Sequence, residues 1–173
     1  MKIRQATYND AEHIAILHGE SWRKAYQGIM KPEFLECDVM ENRKILWRHR
    51  FDKPEAHQYV WVAEEGEELL GFICAYGKRD SQWGTLIDNL HVRHTEQQRG
   101  VGKQLMREAA LWVQKYHSEL GLYLRVVEQN MQARRFYEKI GAEYQASEPW
   151  QSPDGQTIPE LLCVWRNLEP LLK

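Results

Sequence analysis

The sequence is poor in cysteine, and the three it has form no pattern. Cys37, Cys74 and Cys163 stand far apart in 173 residues, are odd in number and include no Cys-x-x-Cys pair. That spacing predicts no disulfide framework. Cys74 and Cys163 lie in strand-like apolar runs, where a free thiol behaves as a small buried hydrophobe. Seven histidines occur without a His-x-x-x-His pair, so no metal site is expected. No apolar run reaches the length of a membrane span, and Lys2 and Arg4 lead into an alternating segment rather than an apolar signal core. An excess of one charge is also missing. With 23 basic and 25 acidic residues the formal net charge is −2, which offers nucleic acid or a membrane no general attraction. Repeats and low-complexity linkers are absent. These absences predict one domain over residues 1–173, soluble, cytoplasmic and reduced, with enough chain to bury a core.

What is present alternates between the strand and helix periods. Residues 2–6 read as a strand, and Asp10 is placed to cap a helix carrying Ile14, Leu17 and Trp22. Pro32 opens a second helix that runs to about Arg50 and is broken by Asp52-Lys53-Pro54. Strands over 59–64 and 69–76 form a hairpin through Glu65-Gly66-Glu67-Glu68, and another strand covers 84–92. A helix from Gly100 to about His117 is marked by Val101, Leu105, Ala109, Trp112 and Tyr116. A strand over 122–127, a helix from Asn130, and strands over 143–150 and 158–166 around Ser152-Pro153-Asp154-Gly155 complete the chain. This order predicts an α/β (α+β) fold with a mixed, mostly antiparallel sheet of six to seven strands flanked by about four helices. One parallel pair is expected where a crossover helix joins strands four and five.

Two segments carry chemistry. The first is Gln97-Gln98-Arg99-Gly100-Val101-Gly102-Lys103, at a strand-to-helix junction. Two glycines there let the backbone turn tightly and aim several N–H groups at one spot, which the positive end of the helix dipole also faces. That is a diphosphate cradle. It is not a Walker loop, because no Gly-Lys-Ser/Thr follows at the required spacing, and the third glycine of a dinucleotide fingerprint is missing. The second segment runs from Asn130 to Gly141. Asn130 suits an N-cap and Gly141 a helix end, while Asn130, Ala133 and Tyr137 share one helix face.

Together these segments resemble the GCN5-related N-acetyltransferase (GNAT) superfamily over Leu86 to Ala142, roughly a third of the chain. The resemblance implies acetyl-CoA as co-substrate, with no metal. It places the pyrophosphate on the backbone of Gln97, Gln98, Arg99, Gly100, Val101, Gly102 and Lys103, and the second CoA helix on Asn130, Arg134 and Tyr137. It also implies that the strand through Leu90, His91 and Val92 splays from its neighbour, pairs with pantetheine and polarises the thioester carbonyl. Tyr137 stands where the family places its proton donor. A thiol titrates near ~8.5 and a phenol near ~10, so the phenol acts chiefly as a hydrogen-bond donor to sulfur. Arg134, Arg135 and Lys103 are either phosphate contacts or plain solvated side chains.

Asp88 is a carboxylate in an otherwise apolar strand and so needs a reason. It either serves the attacking amine, by ordering a water or attracting the ammonium, or it pairs with an arginine such as Arg125. Trp22, Tyr26, Trp83 and Trp150, with Glu20, Asp80 and Glu148 nearby in sequence, would suit an aliphatic or cationic amine. The run from Arg43-Lys44 to Arg48-His49-Arg50 reads as a wet helix face, and His91 and His94 as pocket lining. The expected activity is direct transfer of an acetyl group to a primary amine, a small molecule before a polypeptide. A non-catalytic acyl-CoA-binding module, a protein N-terminus or lysine as acceptor, and a homodimer all stay open.

Overall fold

The computed structural model describes residues 1–117 and 120–173. The architecture follows from strand β2 (Gln58–Glu65), which sends Val60 and Val62 to one side and Trp61 and Ala63 to the other, all of them buried. A strand apolar on both faces needs cover on both. Helices α1 (Ala11–Ala25) and α2 (Val39–Asp52) cover one side with Ile14, Leu17 and Trp47. Helix α3 (Val101–Tyr116) covers the other with Leu105, Ala109 and Val113. The remaining elements are β1 (Lys2–Gln5), β3 (Glu68–Asp80), β4 (Gly84–Val92), β5 (Leu122–Val127), α4 (Met131–Lys139), β6 (Glu143–Gln151), β7 (Thr157–Trp165) and the short α5 (Glu169–Leu172).

Among the described residues, seven strands make one sheet in the order β1-β2-β3-β4-β5-β7-β6. Every neighbouring pair is antiparallel except β4–β5, joined by the crossover through α3. The mixed sheet with its single parallel pair is thus as expected. No helix among the described residues is long and apolar enough to cross a membrane.

Two local expectations need correcting. Asp10 precedes α1 without capping it; its carboxylate turns back to accept the Thr7 N–H at 2.7 Å and to bind both Arg4 guanidinium nitrogens at 2.8 and 2.9 Å. The second helix is interrupted by a π-helical turn over Phe34–Asp38 before α2 begins. The wider turn shifts the phase of the helix, so α2 presents a different set of residues inward. On α2 the buried stripe is Val39, Arg43 and Trp47, at four-residue spacing, so an arginine sits where a hydrophobe would be expected.

Candidate active site

The parallel pairing is short. Thr85 with Leu122 and Leu86 with Tyr123 are its paired positions. Beyond them β4 stays with β3 as far as Val92, while β5 pairs with β7 through Val127. Between the parted strands opens a cleft of about 1120 Å³, lined by β4 from Leu86 to Val92. That is somewhat above the usual range for a small-molecule site. Opposite Cys74 and Ala75 the register of β4 jumps from Asn89 to Ile87, so Asp88 is the extra residue of a bulge. Along this stretch β4 has no partner strand on its β5 side among the described residues, leaving backbone groups for an extended ligand.

At one end of the cleft lies the N-terminus of α3. Gln98 (φ 68°) and Gly100 (φ 82°) both adopt the left-handed conformation that makes the turn, and Gln104 N–H to Gly100 O is the first helical bond. The N–H groups of Val101, Gly102 and Lys103 precede that bond and are free to face a ligand. Both the loop and the start of the helix line the cleft, but Arg99 does not: it is held on the outside by Glu96 and, at 3.6 Å, by Glu65. Gly102 is small for a packing reason, since a Cβ there would lie 3.2 Å from the Phe136 ring.

Helix α4 faces this end. Asn130 Oδ1 accepts the Ala133 N–H at 3.1 Å, the cap its sequence position suggested, and Gln132 Nε2 donates to Gln97 Oε1 at 2.8 Å, tying α4 to the loop. Asn130, Ala133 and Tyr137 all line the cleft. Tyr137 is only 8% exposed and packs edge-on to Trp165; burial raises its phenol, which therefore stays protonated at neutral pH. Arg134 lies off the cleft, donating to Glu128 O at 3.1 Å and resting on Tyr144, while Arg135 lines it.

The other end is built from α1, α2, β4 and β7. Asp88 Oδ2 is held by Arg50 Nη2 at 2.6 Å, and Arg50 Nη1 donates to Asn89 Oδ1 at 2.5 Å. Asp88 thus pairs with an arginine, one of its two readings, but not with the example named: Arg125 meets Glu148 at 3.0 Å. Arg43 is 7% exposed and lies 4.0 Å from the centre of the Trp22 ring. The supposed wet helix face therefore turns two of its arginines inward. His91 lines the cleft with its Nδ1 2.8 Å from Ser21 Oγ and its ring against buried His18; burial, helped by Arg43, lowers it to about 3, so it is neutral.

Trp22, Tyr26 and Trp150 come together there, with ring centres 5.2 Å (Trp22–Tyr26) and 5.9 Å (Trp22–Trp150) apart. Trp83 does not join them. It packs beside Tyr123, Leu162 and Val164 under Arg166. Glu20, Asp80 and Glu148 are likewise off this cleft. Beside this end a clamp joins the chain after α1 to the β6–β7 turn. Asp154 Oδ2 accepts the Lys31 N–H at 2.7 Å, Lys31 Nζ donates to Asp154 O at 2.7 Å, and Gln156 Nε2 reaches Ile29 O at 3.2 Å. Burial opposes ionisation of Asp154, yet bonds from Ser152, Lys31 and Gln156 hold its carboxyl at about 2.

Sequence reasoning missed Arg43, Arg50 and Glu160. Glu160 stands alone in apolar β7, the same signal that singled out Asp88, and it lines the cleft with no hydrogen-bond or ion-pair partner among the described residues. Burial pushes its carboxyl up to about 7, with Arg125 pulling down and Asp88 and Glu148 adding to the rise. Among the described residues no three His, Cys, Asp or Glu side chains gather as a metal site would need.

Comparison with known proteins agrees with the fold. Over 175 residues the chain is 26% identical to a probable N-acetyltransferase of Mycobacterium tuberculosis, covering 98% of this chain and 97% of that protein. The PaiA N-acetyltransferase of Thermoplasma acidophilum, solved with coenzyme A, shares the fold with a TM-score of 0.72 at 23% identity, over 92% of this chain and 96% of that one. NAA60 of Arabidopsis thaliana, solved with a bisubstrate analogue, gives 0.64 at 22% identity, over 95% and 96%. Residues 18–142 match the acetyltransferase (GNAT) family, which is most of the chain. The protein belongs to the GNAT family of acetyltransferases.

Proposed function

We propose that the protein transfers the acetyl group of acetyl-CoA directly to the primary amine of a small molecule. The observation that carries this is the unpaired β4 edge, which runs between the free N–H groups of α3 and the Tyr137 phenol and ends in a clamped aromatic pocket. Acetyl-CoA, when bound, supplies the acetyl group as a thioester. The N–H groups of Val101, Gly102 and Lys103, with the α3 dipole, suit its diphosphate. The backbone of Leu90, His91 and Val92 pairs with the pantetheine arm and donates to the carbonyl oxygen. Tyr137, kept as a phenol by burial, donates to the sulfur as it leaves. Asn130 fixes the helix that carries Tyr137. Asp88 has Oδ1 left over from its ion pair and offers it to the amine's positive charge.

No covalent enzyme intermediate is called for. Cys74 and Cys163 are buried, and desolvation pushes each up to about 12, so both remain thiols. Holding donor and acceptor side by side makes the transfer effectively unimolecular. The clamp between Lys31 and Asp154 supports a small acceptor, because it bridges the first helices and the last hairpin, where a polypeptide would have to cross the sheet.

Free-thiol release across an amine library, with initial rates at varied concentrations of both substrates, tests this reading. Intersecting lines with a primary amine are expected. Parallel lines with a trapped acetyl-cysteine would remove direct transfer, and tight CoA binding with no thiol released from any amine would leave a binding module instead.

A further inference from the structure

The acceptor end of the cleft holds two opposite charges that the fold leaves unspent. Arg43 is one. Its Nε and Nη2 both turn to Asn42 Oδ1 on the preceding residue, Nη1 has no hydrogen-bond partner among the described residues, and no carboxylate among them lies within ion-pair distance of it. Burial, with Arg50 adding to it, lowers Arg43 to about 10, well above neutral, so it stays charged. A buried cation without a counterion is costly, and the Trp22 face beneath it offsets only part of that cost. Arg50 is different, since Asp88 already neutralises it. The other unspent charge is Glu160, on β7 across the cleft. Arg43, Tyr26 and Glu160 all line this one cleft, so a ligand there meets both poles.

We propose that the acceptor is an amino acid: Arg43 binds its carboxylate, and Glu160 receives the proton that its ammonium must lose. This rests on the acetyl-transfer reading and names the acceptor class that completes it. A planar guanidinium with free donors matches a carboxylate, and the match leaves neither Arg43 nor the ligand unpaired. Trp22, Tyr26 and Trp150 supply an apolar wall for the side chain. The proton count closes. The ammonium loses one proton to Glu160, which passes it to solvent; the nitrogen forms its bond to the acetyl carbon as the carbon–sulfur bond breaks. The second amine proton replaces the one that Tyr137 delivers to sulfur, leaving an N-acetyl amino acid and free thiol.

Burial pushes the Glu160 carboxyl up to about 7, with Arg125 on β5 pulling it down and Asp88 on β4 and Glu148 on β6 adding to the rise, while Tyr26 after α1 and Arg43 on α2 line the same cleft. With an amino acid acceptor, kcat/KM should therefore climb as pH rises through about 7. Glu160→Gln should lower kcat about tenfold or more and remove that limb, while the variant still binds the product.

The deciding experiment compares α-, β- and γ-amino acids with their amides and with the decarboxylated amines, by thiol release. Titration calorimetry of the full chain with the N-acetyl amino acid and its amide is run alongside. The amino acids should lead by about tenfold or more in kcat/KM. Arg43→Gln should erase that lead with CoA binding kept, and Arg43→Lys should keep part of it. If amides or plain amines, or a peptide, serve as well as the amino acids, the proposal is overturned while acetyl transfer stands. If the N-acetyl amino acid binds but no amine releases thiol, it is the transfer reading that fails. Should Arg43→Gln not fold, the wild-type series and the lysine variant still decide.

Discussion

The two ends of the cleft are built in opposite ways. The α3–α4 end is built mostly from backbone: free N–H groups behind Gly100 and a helix cap at Asn130, with the buried Tyr137 as the side chain to which the proposed reaction assigns the proton. Its parts come from two short contiguous stretches. The acceptor end works through side chains, with Trp22, Arg43, Asp88 and Glu160 contributed by four separate elements. Backbone recognition tolerates most substitutions around it, so the first end can be shared among enzymes with different acceptors. On the proposed reading, the second end sets this chain's own specificity.

The contrast predicts where changes hurt most. Gly100→Glu should have the largest effect. Its φ of 82° strains any side chain, and the added carboxylate faces the diphosphate, so CoA affinity should fall by about 100-fold or more in titration calorimetry. If affinity survives, the backbone cradle is not where CoA sits. Tyr137→Phe comes next. It should lower kcat by about 100-fold and leave CoA affinity within a few-fold, since it removes an interaction made to the leaving sulfur. A matching loss of affinity would make Tyr137 a packing residue instead.

Asp154→Ala should act more gently, and only on the acceptor end. Loosening the Lys31 clamp should raise the acceptor KM by about three- to tenfold with kcat nearly unchanged, and let longer amines or short peptides react. An unaltered acceptor range would show that the clamp does not bound the pocket. The smallest effect concerns stability. Glu160 is raised from 4.5 to about 7 in the folded chain, so the folded state binds its proton more tightly than the unfolded one. That contribution is present below about pH 4.5 and lost as pH rises through about 7. After discounting for partial exposure, Glu160→Gln should stabilise the protein by about 1 kcal/mol at pH 8, or about 2–4 °C in Tm, and not at all near pH 4. Equal melting temperatures at both pH values would mean that the carboxylate is well solvated.

The same contrast explains what could be read in advance. The glycine loop, the Asn130 cap, the Tyr137 face and the order of strands are local signals, because turns, caps and periodicity act over a few residues. Arg43 and Arg50 were misread for a physical reason: a run of basic residues on a helix is usually solvated, and only the stripe Val39–Arg43–Trp47 hinted that α2 faces inward there. Trp83 failed in the opposite sense, since an aromatic near a cleft in sequence can pack farther along the same face of the sheet, as it does over Tyr123.

By itself the sequence determined the secondary elements, the crossover that makes one pair parallel, and the two segments that identify the family, because each depends on short-range geometry. Tertiary structure alone decided which charges meet. It gave Asp88 to Arg50 rather than Arg125, left Arg43 and Glu160 without an ion-pair partner among the described residues, and tied the chain after α1 to the β6–β7 turn through Lys31 and Asp154. Ion pairs form through space between residues far apart in the chain, and no local rule of spacing constrains their choice of partner.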